Sequence, residues 1–298
     1  MLYNNLSSYL KVRYGKKMKK ICIDGGFSCP NRDGSCGIGG CIFCGERGAG
    51  EHIDGRISIE EQVANGLSCA REGVGYIAYF QNFTNTYADI PTLKSRYDKA
   101  LTDDRILALS IGTRPDCIDE EKAKLIASYK SKVDVWVELG LQTSSDRTAK
   151  IINRGYESEV FTRAVEILNR YEIPVVVHLM LGLPEESDKE LKATVDFINS
   201  HKLFGIKIHS VYVMENTLLC DMYRQGLYTP ITQSEYVNQA IYLLTHISSD
   251  TVIHRLVADC PRDMLVAPEW NKDKNFTLKL ITDKMESEGL YQGIFYNK

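Results

Sequence analysis

Short apolar runs alternate with longer amphipathic ones from residue 20 to residue 211, and no other feature restricts the fold so strongly. The apolar runs at 20–23, 75–80, 106–111, 133–139, 175–181 and 206–211 have the length of strands. Between them, 58–71, 91–100, 119–129, 158–171 and 187–200 carry helical patterns, several with acids in the first turn, as at Asp119-Glu120-Glu121. Strands strictly interleaved with helices predict a parallel sheet covered by helices, and six of them predict an α/β partial barrel, (β/α)6. A closed eight-stranded barrel would need two more units. Ligands of such sheets bind at the C-terminal ends of the strands, where the βα loops gather. A strand-like run at 251–257 and a helical pattern at 276–288 follow without linker or repeat, predicting a small C-terminal α+β extension. The expected division is a basic N-terminal segment 1–19, a core 20–215 and an extension 216–298 packed on that core.

The loop after the first strand carries ligand chemistry. Four of the nine cysteines, Cys29, Cys36, Cys41 and Cys44, fall within sixteen residues. Glycines between them let the backbone fold tightly around a bulky centre. The other five, Cys22, Cys69, Cys117, Cys220 and Cys260, are scattered and are expected to be buried small hydrophobes. The chain opens on polar residues without an apolar signal-type run, and its longest apolar stretches fall short of the roughly 20 residues of a membrane span. A cytoplasmic setting is therefore expected, in which clustered thiols bind metal or do redox chemistry rather than pair as disulfides. Two metals compete: a structural zinc in a closed four-thiolate site, or a four-iron cluster on three thiolates with one iron open. A place at the ligand face of the barrel favours iron, because structural zinc usually serves modules that lack a core of their own.

Lys and Arg number 36 against 39 Asp and Glu, so the net charge of −3 gives no global reason to expect nucleic acid. The local exception is Lys11, Arg13, Lys16, Lys17, Lys19 and Lys20, which precede the first acid, Asp24, and are interleaved with Tyr3, Tyr9 and Tyr14. Such a run is either a solvated face with hydrophobic anchors or, beside the cysteine loop, a path for a phosphate backbone with rings to stack on bases.

Cys29-Pro30 followed by Cys41-x-x-Cys44 resembles the cluster loop of the radical S-adenosylmethionine (radical SAM) superfamily. Its C-x11-C-x2-C spacing is similar to the widened loop of the branch that includes the Elongator catalytic subunit. The likeness continues in order through Gly112-Thr113-Arg114-Pro115-Asp116, Val137-Glu138-Leu139-Gly140-Leu141-Gln142-Thr143 and Asn153-Arg154-Gly155. It ends with His178-Leu179-Met180-Leu181-Gly182-Leu183-Pro184 and Gly205-Ile206-Lys207-Ile208-His209. The resemblance is nearest to the short bacterial members (YhcC/YtqA type) without Elongator's acetyltransferase domain, for which this chain ends too early. Two departures stand out: Gly112 occupies a position where relatives usually carry Glu, and Cys36, at C-x4-C-x2-C spacing, competes with Cys29.

What the resemblance implies is a partial barrel of the radical SAM type, with Cys29, Cys41 and Cys44 holding a [4Fe-4S] cluster. Its open iron would chelate S-adenosylmethionine, with electrons from a flavodoxin- or ferredoxin-type donor. Gln81, Gln142, Arg154 and His178 are the implied cofactor-binding residues. Their plain alternatives are strand-end capping for Gln142, a salt bridge for Arg154 and a satisfied core histidine for His178. An Arg114–Asp116 pair is the plain reading of that motif. Lys207 and His209 share one face of the sixth strand, which looks either into the barrel mouth or toward solvent. The implied substrate is tRNA at the C5 substituent of its wobble uridine, with no membrane partner. A small metabolite or protein side chain is a rival substrate, and a non-catalytic zinc scaffold is the rival class.

Overall fold

The computed structural model describes residues 2–48, 50, 53–68, 72–259 and 262–296. Cys69 and Cys260 lie outside the described residues. The chain begins with α1 (Leu6–Tyr14), β1 (Lys17–Ile23), α2 (Ile59–Ser68), β2 (Val74–Phe80), α3 (Ile90–Ala100) and β3 (Ile106–Thr113). There follow α4 (Glu120–Ser128), β4 (Asp134–Gln142), α5 (Asp146–Ile151), α6 (Ser158–Arg170), β5 (Val175–Leu181), α7 (Asp188–Asn199) and β6 (Gly205–Ser210). The rest comprises β7 (Val213–Met214), α8 (Leu218–Arg224), α9 (Gln233–His246), β8 (Val252–Arg255), β9 (Leu265–Ala267) and α10 (Lys274–Ser287). All six expected strands are present, with β1 starting three residues earlier than its apolar run.

These strands form one parallel sheet in the order β1-β2-β3-β4-β5-β6-β8, curled into a half-barrel. The seventh strand comes from the C-terminal extension, which therefore completes the main sheet as well as packing on it. β7 and β9 make a separate antiparallel pair. Alternate strand residues explain the two faces. Ile23, Phe80, Ile111, Val137, Val177 and Ile208 point outward into the core shared with the helices. Ser187 and Glu190 close a capping box at the start of α7, and Thr232 and Glu235 do the same for α9.

The inner face is built in layers two residues apart along each strand. Ile77, Ala108, Trp136 and Val176 form an apolar floor, and Leu10 of α1 plugs it. Tyr9 packs edge-on against Phe204, while Arg13 and Tyr14 both hydrogen-bond Asp134 at the start of β4. The first helix is thus a stopper for the N-terminal end of the barrel, with its tyrosines engaged in anchoring. That placement corrects the expectation that the basic run adjoins the cysteine loop. β1 carries the chain to the opposite end of the sheet, on the order of 20 Å at about 3.3 Å per residue. Lys20 is turned into the barrel and meets Glu138. Asn4 and Asn5 pair along β8, with Ile253 N donating to Asn4 O at 2.7 Å. Asn4 N donates to Gln292 Oε1 at 2.8 Å, and Gln292 N donates to Leu2 O at 2.9 Å, so the two ends of the chain interlock.

Cys117 and Cys220 are buried as expected. Cys22 departs from that expectation and is exposed, because β1 is the edge of an open sheet and its inward face is not covered there. Among the described residues, no helix is long and apolar enough to cross a membrane.

Candidate active site

A cavity of about 270 Å³ opens at the C-terminal ends of the strands. Cys29, Cys41 and Cys44 lie on its wall, whereas the exposed Cys36 does not. The cysteine loop is held by its own turns, Arg32 N donating to Cys29 O at 2.8 Å and Cys44 N to Cys41 O at 3.0 Å. Asn31, fully buried, donates from Nδ2 to Asn153 O at 2.6 Å and approaches Cys41 Sγ at 3.8 Å. Asn153 returns the contact from Nδ2 to Gly40 O at 2.7 Å. The Cys44 thiol is drawn down by its hydrogen bond with Cys41, against the effect of burial, with the Arg32 guanidinium adding to the pull.

Among the described residues, no group of three His, Cys, Asp or Glu side chains is placed to hold a single metal ion. The donor set does fit a multi-iron cluster, in which each thiolate serves a different iron rather than one shared point. Arg32 and Arg114, on the same wall, supply positive charge beside it.

Two strand positions leave this mouth open. Gly112 and Gly140 both line it, so at these two positions β3 and β4 project no side chain of their own. At the end of β4 the register breaks, and Gln142 sits at φ 64° with its amide folded back over Gly140. A Cβ at Gly140 would come within 2.7 Å of Gln142 Nε2, so the folded-back amide occupies the space that a side chain there would take. Gln81 lines the same cavity after β2, its backbone N donating to Ile23 O at 3.1 Å.

Arg154 also lines the cavity, yet its role differs from a cofactor-carboxylate fork. Nη1 donates to Leu141 O and Thr143 O, each at 2.6 Å. Nε and Nη2 donate to Tyr156 O at 2.9 and 2.8 Å, and Nη2 reaches Asp146 Oδ1 at 3.4 Å. A guanidinium has five N–H donors, and all five are committed. The residue is a buried clamp on the loop after β4 rather than the surface salt bridge of the plain reading, although Asp146 is its charge partner. Arg114 pairs with Asp116 at 2.9 and 2.6 Å and donates to Arg154 O at 2.9 Å, so the plain reading of that motif also holds.

Below the mouth, the inward residues turn charged. Glu138, with no exposed surface, accepts at Oε1 from Lys20 Nζ (3.2 Å) and Ser110 Oγ (2.9 Å). At Oε2 it accepts from His178 Nε2 (2.8 Å) and Lys207 Nζ (2.9 Å). Burial alone would raise this carboxyl, but Lys20 and Lys207 outweigh it and hold Glu138 well below the usual carboxylate range. An ionised Glu138 makes His178 the donor, leaving His178 Nδ1 as an acceptor. Burial, with Lys207 nearby, pushes His178 down to about 4. Lys207 donates to Tyr79 OH at 2.8 Å as well, and burial pushes it down to about 7 although Glu138 opposes the shift. Lys207 and His209 thus face into the barrel rather than toward solvent.

Glu138, Tyr79, Arg32, Asn31 and Arg255 were given no individual role by sequence reasoning. For Glu138 a signal existed: an acid in the middle of an apolar run, at an inward position of the strand, requires a buried partner. The others become visible only when strands distant in sequence are brought together.

A half-barrel of parallel strands with three thiols at its C-terminal mouth defines the radical SAM class, and the chain belongs to the radical SAM superfamily, which it matches over residues 31–198. A radical SAM C-terminal domain matches residues 204–287. Cys41 and Cys44 fall inside the first match and Cys29 just ahead of it. Within the superfamily the chain is of the short YhcC/YtqA type: YtqA of Bacillus subtilis (strain 168) is 34% identical over 300 residues, 99% of this chain and 93% of that one. A tRNA uridine(34) acetyltransferase of Methanocaldococcus infernus is 28% identical over 194 residues, 62% of this chain and 34% of that one. The archaeal Methanocaldococcus infernus Elp3, solved with an N-terminal deletion, superposes with a TM-score of 0.70 at 19% identity, covering 92% of this chain and 64% of that one. That likeness shows the fold. As a radical SAM enzyme the protein uses a [4Fe-4S] cluster and S-adenosylmethionine.

Proposed function

We propose that Cys29, Cys41 and Cys44 hold the cluster and that the enzyme modifies the C5 substituent of the wobble uridine in tRNA. The observation that carries the substrate is the likeness, over 62% of this chain, to a protein named for uridine 34 of tRNA. When bound, the cluster on Cys29, Cys41 and Cys44 and S-adenosylmethionine would supply one-electron chemistry that removes a hydrogen atom from the substrate. The chain's own residues provide the setting. Gln142 and Gln81 offer amide groups at the mouth for the polar parts of the cofactor, and His178 offers Nδ1 from the layer below. The α1 stopper and the apolar layer above it keep the far end of the barrel dry, which protects a radical from water. The setting is cytoplasmic, with a flavodoxin- or ferredoxin-type protein as electron donor.

A remodelling step on an existing substituent, carboxymethylaminomethyluridine to aminomethyluridine, is the narrower reading. Mass spectrometry of tRNA nucleosides from cells with and without the gene tests both. Accumulated carboxymethylaminomethyluridine in the deletion supports the narrow step, and another accumulated wobble-uridine intermediate supports the broader one. An unchanged profile overturns the tRNA reading and moves the substrate to a small metabolite or protein side chain.

A further inference from the structure

Glu138 is saturated. Five donors converge on it, from Lys20, Ser110, Trp136, His178 and Lys207, and no acceptor capacity remains for another cation. On the same inner face lies Arg255, whose carboxylate partner Asp259 stands at 3.3 Å and is shared with Lys274 of α10. Among the described residues, the carboxylates paired with Lys20, Lys207 and Arg255 are Glu138 and an Asp259 shared with Lys274. Lys207 and Glu138 are buried and Lys20 and Arg255 partly so, and this stretch of the cavity wall carries more cations than anions.

Two groups on this surface have hydrogen-bonding capacity left over. Lys207 is an ammonium with three N–H donors, of which Glu138 and Tyr79 take two. Two residues further along β6, on the same face, His209 Nε2 is buried with no partner. Lys207, His209 and Arg255 all line the cavity. The local field is positive: Lys20 and Arg255 add to the effect of burial in holding Lys207 down, and His209 is held well below its ordinary range by burial with His178 and Arg255 beside it.

We propose that Lys207, His209 and Arg255 form a binding site for a carboxylate carried by the substrate. Two properties select a carboxylate over a backbone phosphate. The excess is small and suits a monoanion. The site also lies in the layers below the cysteine mouth, so the anion must reach it on a slender substituent rather than on a polynucleotide backbone. Resting on the tRNA reading, the carboxylate belongs to a chain on C5 of the wobble uridine. The site then sets substrate choice: a uridine with the acidic substituent is held, and one without it leaves the cations uncompensated.

The test uses the reconstituted enzyme with S-adenosylmethionine bound, so that the cofactor's own carboxylate is already placed. Binding of three nucleosides is compared: 5-carboxymethylaminomethyluridine, 5-aminomethyluridine and uridine. The acidic nucleoside is expected to bind at least about tenfold more tightly than the aminomethyl one, the scale of a charge-assisted contact. Arg255→Gln and His209→Phe are each expected to bring that ratio toward one while leaving uridine binding unchanged; Lys207→Met is the stronger variant and is used if it folds. In parallel, acetate and inorganic phosphate are titrated into protein labelled with nitrogen-15 histidine, reading the His209 ring. Acetate shifting His209 without nucleoside discrimination upholds the carboxylate site and overturns the uridine reading. No acetate shift and no discrimination overturns the site, as does phosphate competing as well as acetate, or a ratio that survives the variants.

Discussion

Asn31 Nδ2 and the carbonyl oxygen of Asn153 lie 2.6 Å apart, across 122 residues of sequence, and this bond fastens the cysteine loop to the turn after α5. Asn153 Nδ2 donates back to Gly40 O at 2.7 Å, so the fastening is reciprocal. Asn31→Ala is expected to leave the fold intact but to loosen the loop, with iron lost to a chelator about tenfold more readily. Timed iron release from the variant and the parent checks this. Equal release would show that the cysteine loop holds its shape unaided.

Cys29→Ala, Cys41→Ala and Cys44→Ala are each expected to abolish a stable iron–sulfur cluster after anaerobic reconstitution, and Cys36→Ala to preserve it. Iron and sulfide analysis with the visible spectrum gives the answer. A cluster that survives loss of Cys29 and fails on loss of Cys36 would exchange their roles.

Arg154→Met removes five donors from buried or partly buried acceptors and is expected to destabilise the protein by about 3 kcal/mol or more. The loss should appear in urea unfolding of the cofactor-free protein, and Arg154→Lys should not restore it, because an ammonium cannot span the same carbonyls. Normal apo stability with weakened S-adenosylmethionine binding would instead make Arg154 a cofactor ligand.

Acid should weaken the fold through its inner histidines. Burial holds His178 down to about 4, and His209 and His254 well below the ordinary value, with Lys20, Lys207 and Arg255 facing them and Glu138 the one opposing carboxylate in contact with His178. The unfolded chain titrates its histidines near 6.5. Below that pH the unfolded state binds protons that the folded state refuses. Stability from these groups is therefore complete above pH 6.5 and falls as pH drops toward 4, with His178 alone contributing about 3 kcal/mol. Unfolding free energies measured between pH 7 and 5 should slope accordingly. A flat profile would mean that the rings are protonated inside the fold.

Much of the scaffold was legible because each strand is an apolar run bounded by a helix with its own capping and amphipathic signals. β5 spans the run at 175–181, and α6 differs from its pattern only at its last residue. α1 was not legible: among lysines and an arginine it buries Leu10 alone, so its stopper role depends on a floor assembled from four other strands. β8 is only four residues long, and its place beside β6 follows from the closing of the sheet. Spacing marked the four-cysteine loop but left Cys29 and Cys36 as competitors; the structure puts Cys29, Cys41 and Cys44 on the cavity wall and Cys36 off it. The role of Arg154 was not legible, because its partners are carbonyl oxygens and no side-chain pattern announces them.

The interlock of Asn4 with Ile253 and Gln292 has a consequence for biosynthesis. α1 leaves the ribosome before the strands whose floor it plugs, yet Ile253 and Gln292, which lock its entry segment, emerge only after all of those strands. Until then the underside formed by Ile77, Trp136 and Val176 is covered only by a helix that is free to detach. Contacts of such long range form slowly. Until β8 emerges, nascent chains therefore carry an apolar underside whose cover is not locked, a target for chaperones and a seed for aggregation when elongation stalls.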